Sequence, residues 1–225
     1  MLFFTKILVI SSVAVAIGCS IANSSTAITD LKDLAPTPEA KNTTISKELQ
    51  TAVFAGGCFW GVEAVFEHIK GVTDVRSGYA GGDAKSANYD KVSDGKTEHA
   101  ESVKVTFDPA KVTYVQLLTV FFSVAHDPTQ LNRQGPDTGS QYRSAIFFAD
   151  EEQKKSAHSY IEAIDKSKAF SKPVVTQVVP LNEFYEAEAY HQDYLKHHPD
   201  QPYIVINDLP KIADLKKKFP ELYVE

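Results

Sequence analysis

The stretch LQTAVFAGGCFWGVEAVFEHIKG, Leu49–Gly71, contains a complete change of secondary structure. Leu49 to Ala55 is a short, β-prone apolar run, and Gly56-Gly57 is a tight turn. From Cys58 onward, Phe59, Val62, Phe66 and Ile69 recur at helical spacing until Gly71 stops the pattern. The segment therefore predicts strand, glycine turn, helix. It places one of the chain's two cysteines and its only tryptophan where the helix begins. A buried structural cysteine needs no glycines beside it, so Gly56, Gly57 and Gly61 suggest that something must approach this sulfur.

Working outward, Val72 to Tyr79 predicts a second strand, followed by the glycine-rich turn GYAGG. Residues 80–100 are polar and aperiodic, a long loop of the kind that is usually functional in a compact domain. Val103, Val105 and Phe107 alternate with polar residues as a strand that Asp108-Pro109 ends. Thr113 and Gln116 form a capping box for a helix to about Val124. A second long loop runs from His126 to Gln141. Arg143 to Ala149 then predicts a strand, Asp150 to Lys168 a capped helix, and Val174 to Val179 a strand, with short helices and loops beyond. The order β-α-β-β-α-β is the split βαβ of ferredoxin-like sheets, an α+β arrangement. Both long loops leave sheet ends, where they can meet over Cys58.

The N-terminal residues point to export. Lys6 supplies a positive n-region and residues 7–17 an apolar stretch too short for a confident membrane span. The run ends Ala16-Ile17-Gly18-Cys19, similar to a bacterial lipobox with Cys19 as the acylated residue. Ordinary signal cleavage and an uncleaved anchor are the rival readings. Residues 1–18 are thus expected to be a signal peptide and residues 19–46, rich in Ser, Thr, Asn, Ala and Pro, a flexible tether. Residues 47–225 are the expected catalytic domain of an exported, periplasmic or membrane-anchored protein. Without residues 1–18 the chain has 22 basic and 29 acidic residues, a net −7 that argues against nucleic acid as a partner. With Cys19 lipidated or removed, Cys58 has no partner for an intramolecular disulfide.

Backbone N–H groups and the helix dipole at the start of a helix favour a thiolate, which predicts a lowered pKa for Cys58. Phe59 shares the apolar stripe and reads as core, whereas Trp60 lies off it and can wall a pocket for a small group. The segment TEHAES supplies Glu98, His99 and Glu101, of which one carboxyl could serve as a general acid. Tyr89 and Tyr142 could donate hydrogen bonds into the same cleft. Taken singly, each of these also fits an acidic edge or a half-buried tyrosine, and the pattern does not select among them. His191, His197 and His198 match no zinc motif and read as a solvated helix face. Three functions remain open on these residues. One is a thiol oxidoreductase acting on a small sulfur or peroxide substrate. Another is a papain-like cysteine hydrolase with His191 or His198 as base and Asn207 as orienter. The third is a surface lipoprotein that only binds a ligand.

Taken together, GGCFWG, GYAGG, DGKTEHAE, HDPTQLNRQGPDTGSQYRSAIF and HQDYL resemble peptide methionine sulfoxide reductase of the A type, in order from about residue 50 to the C-terminus. The resemblance implies that Cys58 attacks the sulfoxide sulfur and that Glu101 protonates the leaving oxygen. It implies that Tyr89 and Tyr142 hydrogen-bond that oxygen, that Phe59 and Trp60 hold the methyl group, and that Asp137 supports the site. It also implies a two-layer α/β sandwich with a ferredoxin-like core and C-terminal helices; no cofactor or metal is expected. The implied substrate is the S epimer of methionine sulfoxide, free or in oxidised proteins, and the reductant a thioredoxin-like thiol; a monomer is expected. Two departures stand out. Many members carry glycine where Glu98 stands, and many carry resolving cysteines, whereas here Ser93 occupies the loop and the tail after His198 has no cysteine.

Overall fold

The computed structural model describes residues 31–34 and 48–225. The expected signal peptide, Cys19 and most of the expected tether lie outside these residues. Among the described residues no helix is long and apolar enough to cross a membrane.

The opening segment folds as its pattern predicts, with strand β1 at Gln50–Gly56 and helix α1 at Phe59–Glu67, Cys58 standing at the N-cap. Strand β2 (Val72–Ala80), the short helix α2 (Tyr89–Ser93) and strand β3 (Ala100–Phe107) follow. Helix α3 (Tyr114–Val120) opens on the Thr113–Gln116 capping box and widens into a π turn, Phe121–Ala125. A two-stranded hairpin, β4 (Arg133–Gln134) and β5 (Asp137–Thr138), occupies the second long loop. Strand β6 (Ser144–Phe148), helix α4 (Glu151–Ser167), strands β7 (Gln177–Pro180) and β8 (Phe184–Glu186), and helices α5 (Tyr194–His197) and α6 (Leu209–Lys218) complete the domain.

The main sheet runs β7-β6-β1-β3-β2-β8. Its middle four strands, in the order β6-β1-β3-β2 with every neighbour antiparallel, form the expected ferredoxin-like core. Strand β7 joins β6 in parallel after the α4 crossover, and β8 pairs antiparallel with β2. Alternation along β1 separates the two faces. Ala52 and Phe54 point to the helices, where the Phe54 ring lies 5.1 Å from Phe66 of α1 and 5.0 Å from Phe121 beyond α3. Val53 and Ala55 face the other side with Ala80, Ala100, Ala145 and Phe147.

Three expectations need correction. Residues 80–100 are not all loop, because Asn88 caps α2 through Lys91 N–H. Strand β8 has no counterpart among the expected strands; three residues are too few to show an alternating pattern. Part of the tether is ordered, since Leu31–Leu34 forms a 3-10 turn whose Leu31 carbonyl accepts a 2.8 Å hydrogen bond from the Tyr160 hydroxyl of α4.

The two long loops do meet. Gln141 Nε2 donates to the Ser93 carbonyl at 3.0 Å, and Arg143 donates to the carbonyls of Glu98, His99 and Ser140. His99, buried, accepts from Gly82 N–H and donates to the Asp83 carbonyl, pinning the start of the first loop. The second loop seats on the glycine turn. Gln134 is tied by two hydrogen bonds to the Asp127 backbone and lies where a β-carbon on Gly57 would sit, 2.6 Å away. Gly57 also has φ +96°, a conformation costly for any other residue. Gly57→Ala is therefore expected to cost at least about 1 kcal/mol and to lower the melting temperature by roughly 2–4 °C or more. An unchanged melting curve would show that the turn does not carry this constraint.

Candidate active site

The site gathers on the first turn of α1. Glu101, from the start of β3, is only 2% exposed and its Oε2 accepts the Phe59 N–H at 3.1 Å. The first free N–H of the helix is thus held by a carboxyl rather than by the thiol. Burial pushes Glu101 from the ordinary 4.5 up to about 8, the Phe59 N–H opposes this, and the charge of Asp137 adds to it. At neutral pH Glu101 is a carboxylic acid with a proton to give.

Cys58 is partly buried and, among the described residues, a free thiol. The lowered pKa expected from its place at a helix N-terminus is not what the structure shows. Burial pushes the thiol well above its usual range, and the charges of Glu101 and Asp208 add to this. The Trp60 backbone N–H and the Lys211 ammonium pull the other way without offsetting it. The helix terminus is real, but desolvation outweighs it.

Around this pair stand aromatic rings. Phe59 is 1% exposed and packs against Tyr79 and His191, with ring centroids 5.9 and 5.0 Å away. Trp60 is the more open of the two; its ring stacks on Tyr194 at 3.7 Å and meets Tyr203 edge-on. Its indole N–H donates to His191 Nδ1 at 3.1 Å. Tyr89, the first residue of α2, and Tyr142, from the turn before β6, are both raised by burial and then by the charge of Glu101. They remain O–H donors at neutral pH. Asp137 accepts a hydrogen bond from the Tyr203 hydroxyl. Glu98 is exposed; its carbonyl accepts from Arg143, and its charge acts on the same guanidinium.

Sequence reasoning missed several of these partners. His191 belongs to the aromatic cluster at 1% exposure, not to a solvated face, although His197 and His198 are exposed as expected. Tyr194 and Tyr203 are visible in the sequence only as aromatics in an irregular tail. The i,i+3 spacing of His191 and Tyr194, both against Trp60, is the one usable signal. The residues expected of a hydrolase are otherwise engaged: Nδ1 of His191 accepts from Trp60, the His198 ring lies on Tyr194, and Asn207 Nδ2 donates to the Tyr203 carbonyl. No cluster of metal-ligating side chains is found among the described residues.

The family model of peptide methionine sulfoxide reductase matches residues 50–223. The chain belongs to that family. It is 58% identical to a peptide methionine sulfoxide reductase of Mesorhizobium japonicum over 78% of this chain and 90% of that one. It is 46% identical to one of Synechocystis over 91% and 97%. Among solved structures, reduced Mxr1 of Saccharomyces cerevisiae superposes with a TM-score of 0.61 at 33% identity, covering 71% of this chain and 92% of that one. Methionine sulfoxide reductase A of Corynebacterium diphtheriae gives 0.60 at 33%, covering 76% and 81%. Both similarities agree with the α+β fold.

The protonated state of Glu101 has a consequence for stability. Its folded pKa lies above the unfolded one, so the folded chain holds an extra proton between pH about 4.5 and 8. The associated stability is fully present below pH 4.5 and is lost as pH rises through about 8. Glu63, buried and also raised to about 8, has the same sign but is present in wild type and Glu101→Gln alike. The stability of wild type minus that of Glu101→Gln, from urea melts, is expected to fall between pH 5 and 8. The slope should be at most about 1.4 kcal/mol per pH unit. A difference that does not vary with pH would mean that Glu101 ionises normally.

Proposed function

We propose that this chain reduces the S epimer of methionine sulfoxide, free and within oxidised proteins, with Cys58 as nucleophile and Glu101 as acid. The observation that carries the reading is the buried, protonated Glu101 bonded to the N–H directly after Cys58. A sulfoxide oxygen leaves poorly unless protonated, and few reactions need a thiol and a neutral carboxylic acid together. Glu101 gives its proton to the oxygen while Tyr89 and Tyr142 donate hydrogen bonds to it. Trp60, backed by Phe59, walls the methyl group, and Asp137 fixes Tyr203 at the rim. Sulfur of Cys58 bonds to the sulfoxide sulfur and its proton passes to the Glu101 carboxylate. The protonated oxygen then moves from the methionine sulfur to Cys58 as the sulfur–sulfur bond breaks and one electron pair returns to methionine. Methionine sulfur is reduced by two electrons and Cys58 is oxidised to a sulfenic acid.

Recycling follows from the cysteine count. No second cysteine lies in residues 47–225, so an external thiol attacks the sulfenic acid, releasing water and forming a mixed disulfide. A second external thiol opens it. A thioredoxin-like dithiol suits both steps. Lys6, the apolar run 7–17 and Ala16-Ile17-Gly18-Cys19 support export, with lipid attachment at Cys19. The donor is then one that serves an exported protein.

The test is a single turnover without reductant on each epimer separately, quenched with dimedone. The S epimer is expected to give one methionine per chain and a dimedone adduct on Cys58, and the R epimer neither. Cys58→Ser should be inactive, and Glu101→Gln should slow the turnover roughly 10²–10⁴-fold. Equal rates on both epimers, or full turnover by Cys58→Ser, would overturn the reading.

A further inference from the structure

The segment after β8 touches both walls of the sulfoxide pocket, and the mechanism above gives it no part. Glu188 and the 3-10 turn Ala189–His191 form one unit, since the His191 N–H donates to the Glu188 carbonyl at 2.9 Å. The unit is bolted to β2 on either side. Before it, the Ala187 N–H donates to the Ser77 carbonyl at 2.9 Å. After it, the Gln192 side chain accepts from the Ser77 N–H and donates to the Ser77 carbonyl, each at 3.0 Å. From this base two side chains reach the site. Glu188 accepts from the Tyr79 hydroxyl at 2.8 Å with one carboxyl oxygen and from the Tyr89 N–H at 3.0 Å with the other. His191 accepts the Trp60 indole N–H at Nδ1, 3.1 Å away, and its ring centroid lies 4.4 Å from that of Tyr89 and 5.0 Å from that of Phe59.

Both side chains carry a cost that apolar packing would avoid. Burial pushes the Glu188 carboxyl up, but hydrogen bonds led by the Tyr89 N–H outweigh it and hold the group below the ordinary 4.5, an anion at neutral pH. An indole N–H can only donate, so Nδ1 of His191 is the acceptor and the proton of the neutral ring sits on Nε2. That nitrogen is buried without a hydrogen-bond partner. Burial lowers the pKa of His191 while the charge of Glu188 opposes this, and the ring stays neutral. A leucine among these aromatic rings would leave no donor unsatisfied. What the histidine adds is the acceptor for Trp60.

We propose that Glu188 and His191 are positioning residues for the reductase reaction: Glu188 sets Tyr89 on the oxygen side of the sulfoxide, and His191 sets Trp60 on the methyl side. The proposal rests on the reading of Tyr89 and Trp60 as groups that meet the substrate. Because both anchors stand on one turn fixed to β2, the spacing between oxygen donor and methyl wall is fixed with it. Each bond can be removed selectively. Glu188→Gln is nearly isosteric but offers a single carbonyl oxygen to two donors. His191→Leu removes the acceptor, whereas His191→Asn removes the ring and leaves a carbonyl able to accept from the indole. Tyr89→Phe keeps the N–H that Glu188 holds and loses only the hydroxyl that meets the substrate.

The experiment has two measurements on the full-length chain. Trp60 is the only tryptophan, so proton–nitrogen NMR shows a single indole N–H signal, read without substrate. In His191→Leu that proton is expected to exchange with water roughly 2–10-fold faster, the worth of one hydrogen bond, and in His191→Asn to return towards wild type. Exchange that does not differ between these two variants overturns the proposal. The second measurement is a pair of double-mutant cycles in kcat/KM for the S epimer. Glu188→Gln and His191→Leu are each expected to cost about 10–100-fold on their own. Glu188→Gln should cost less than about twofold in a Tyr89→Phe background, and His191→Leu less than about twofold in a Trp60→Phe background. A residue that only supports the fold would cost the same in both backgrounds. That additive result overturns the proposal, as does an unaltered kcat/KM in either single variant. If His191→Leu fails to fold, as judged by its melting curve, the Glu188–Tyr89 cycle decides alone. Additive cycles in an active protein sink this proposal only, whereas a wild type inactive on both epimers overturns the reading beneath it and the proposal with it.

Discussion

The hydrogen bond from the Phe59 N–H to Glu101 ties the sheet to the helix that carries the thiol, and much of the structure serves to keep it dry. It joins the start of β3 to the first turn of α1, two elements brought together because β1 pairs with β3 and turns into α1 at Gly56-Gly57. A carboxyl in that position cannot be hydrated, so it keeps its proton at neutral pH. A thiol beside it is desolvated too, and stays a thiol. The first turn of α1 thus holds a carboxyl and a thiol that burial keeps un-ionised at neutral pH. The ferredoxin-like core supplies the rigid junction and the two long loops supply the cover.

That cover depends on interactions between segments distant in sequence. Arg143 reads three carbonyls from both loops, Gln141 reaches to Ser93, and Gln134 fills the space that Gly57 leaves. Glu188 adds a further tie, accepting from the Tyr79 hydroxyl at 2.8 Å and from the Tyr89 N–H at 3.0 Å, so that α2 is fixed to β2 and to the segment after β8. The aromatic cluster of Phe59, Trp60, His191, Tyr194 and Tyr203 closes the remaining side. Its rings hold one another in place, with Trp60 both stacked and hydrogen-bonded.

Local features are legible in the sequence because local physics causes them. The glycine turn before Cys58, the Thr113–Gln116 box and the alternation in β3 all act within a few residues, and all appear where expected. The choice among Glu98, His99 and Glu101 is not legible from spacing, since burial decides it. Glu98 is exposed, His99 is a buried loop pin, and Glu101, the only one of the three inside β3, is buried against the Phe59 N–H. The raised pKa of Cys58 runs against the sequence expectation for the same reason: a helix N-terminus is visible in the sequence, but the depth at which it is buried is not. Asp208 and Lys211 can be paired from their i,i+3 spacing, yet nothing in the chain announces that they rest on Gly61.

The central claim is that Glu101 is a neutral acid in the resting protein. Carbon-13 NMR of the glutamate side-chain carboxyls, with Glu101 assigned by comparison with Glu101→Gln, measures this directly. The account predicts that the Glu101 signal titrates near pH 8 and keeps its protonated position at pH 6. Titration near the ordinary 4.5 would contradict it, because the pocket would then present a carboxylate beside the thiol and no proton for the leaving oxygen.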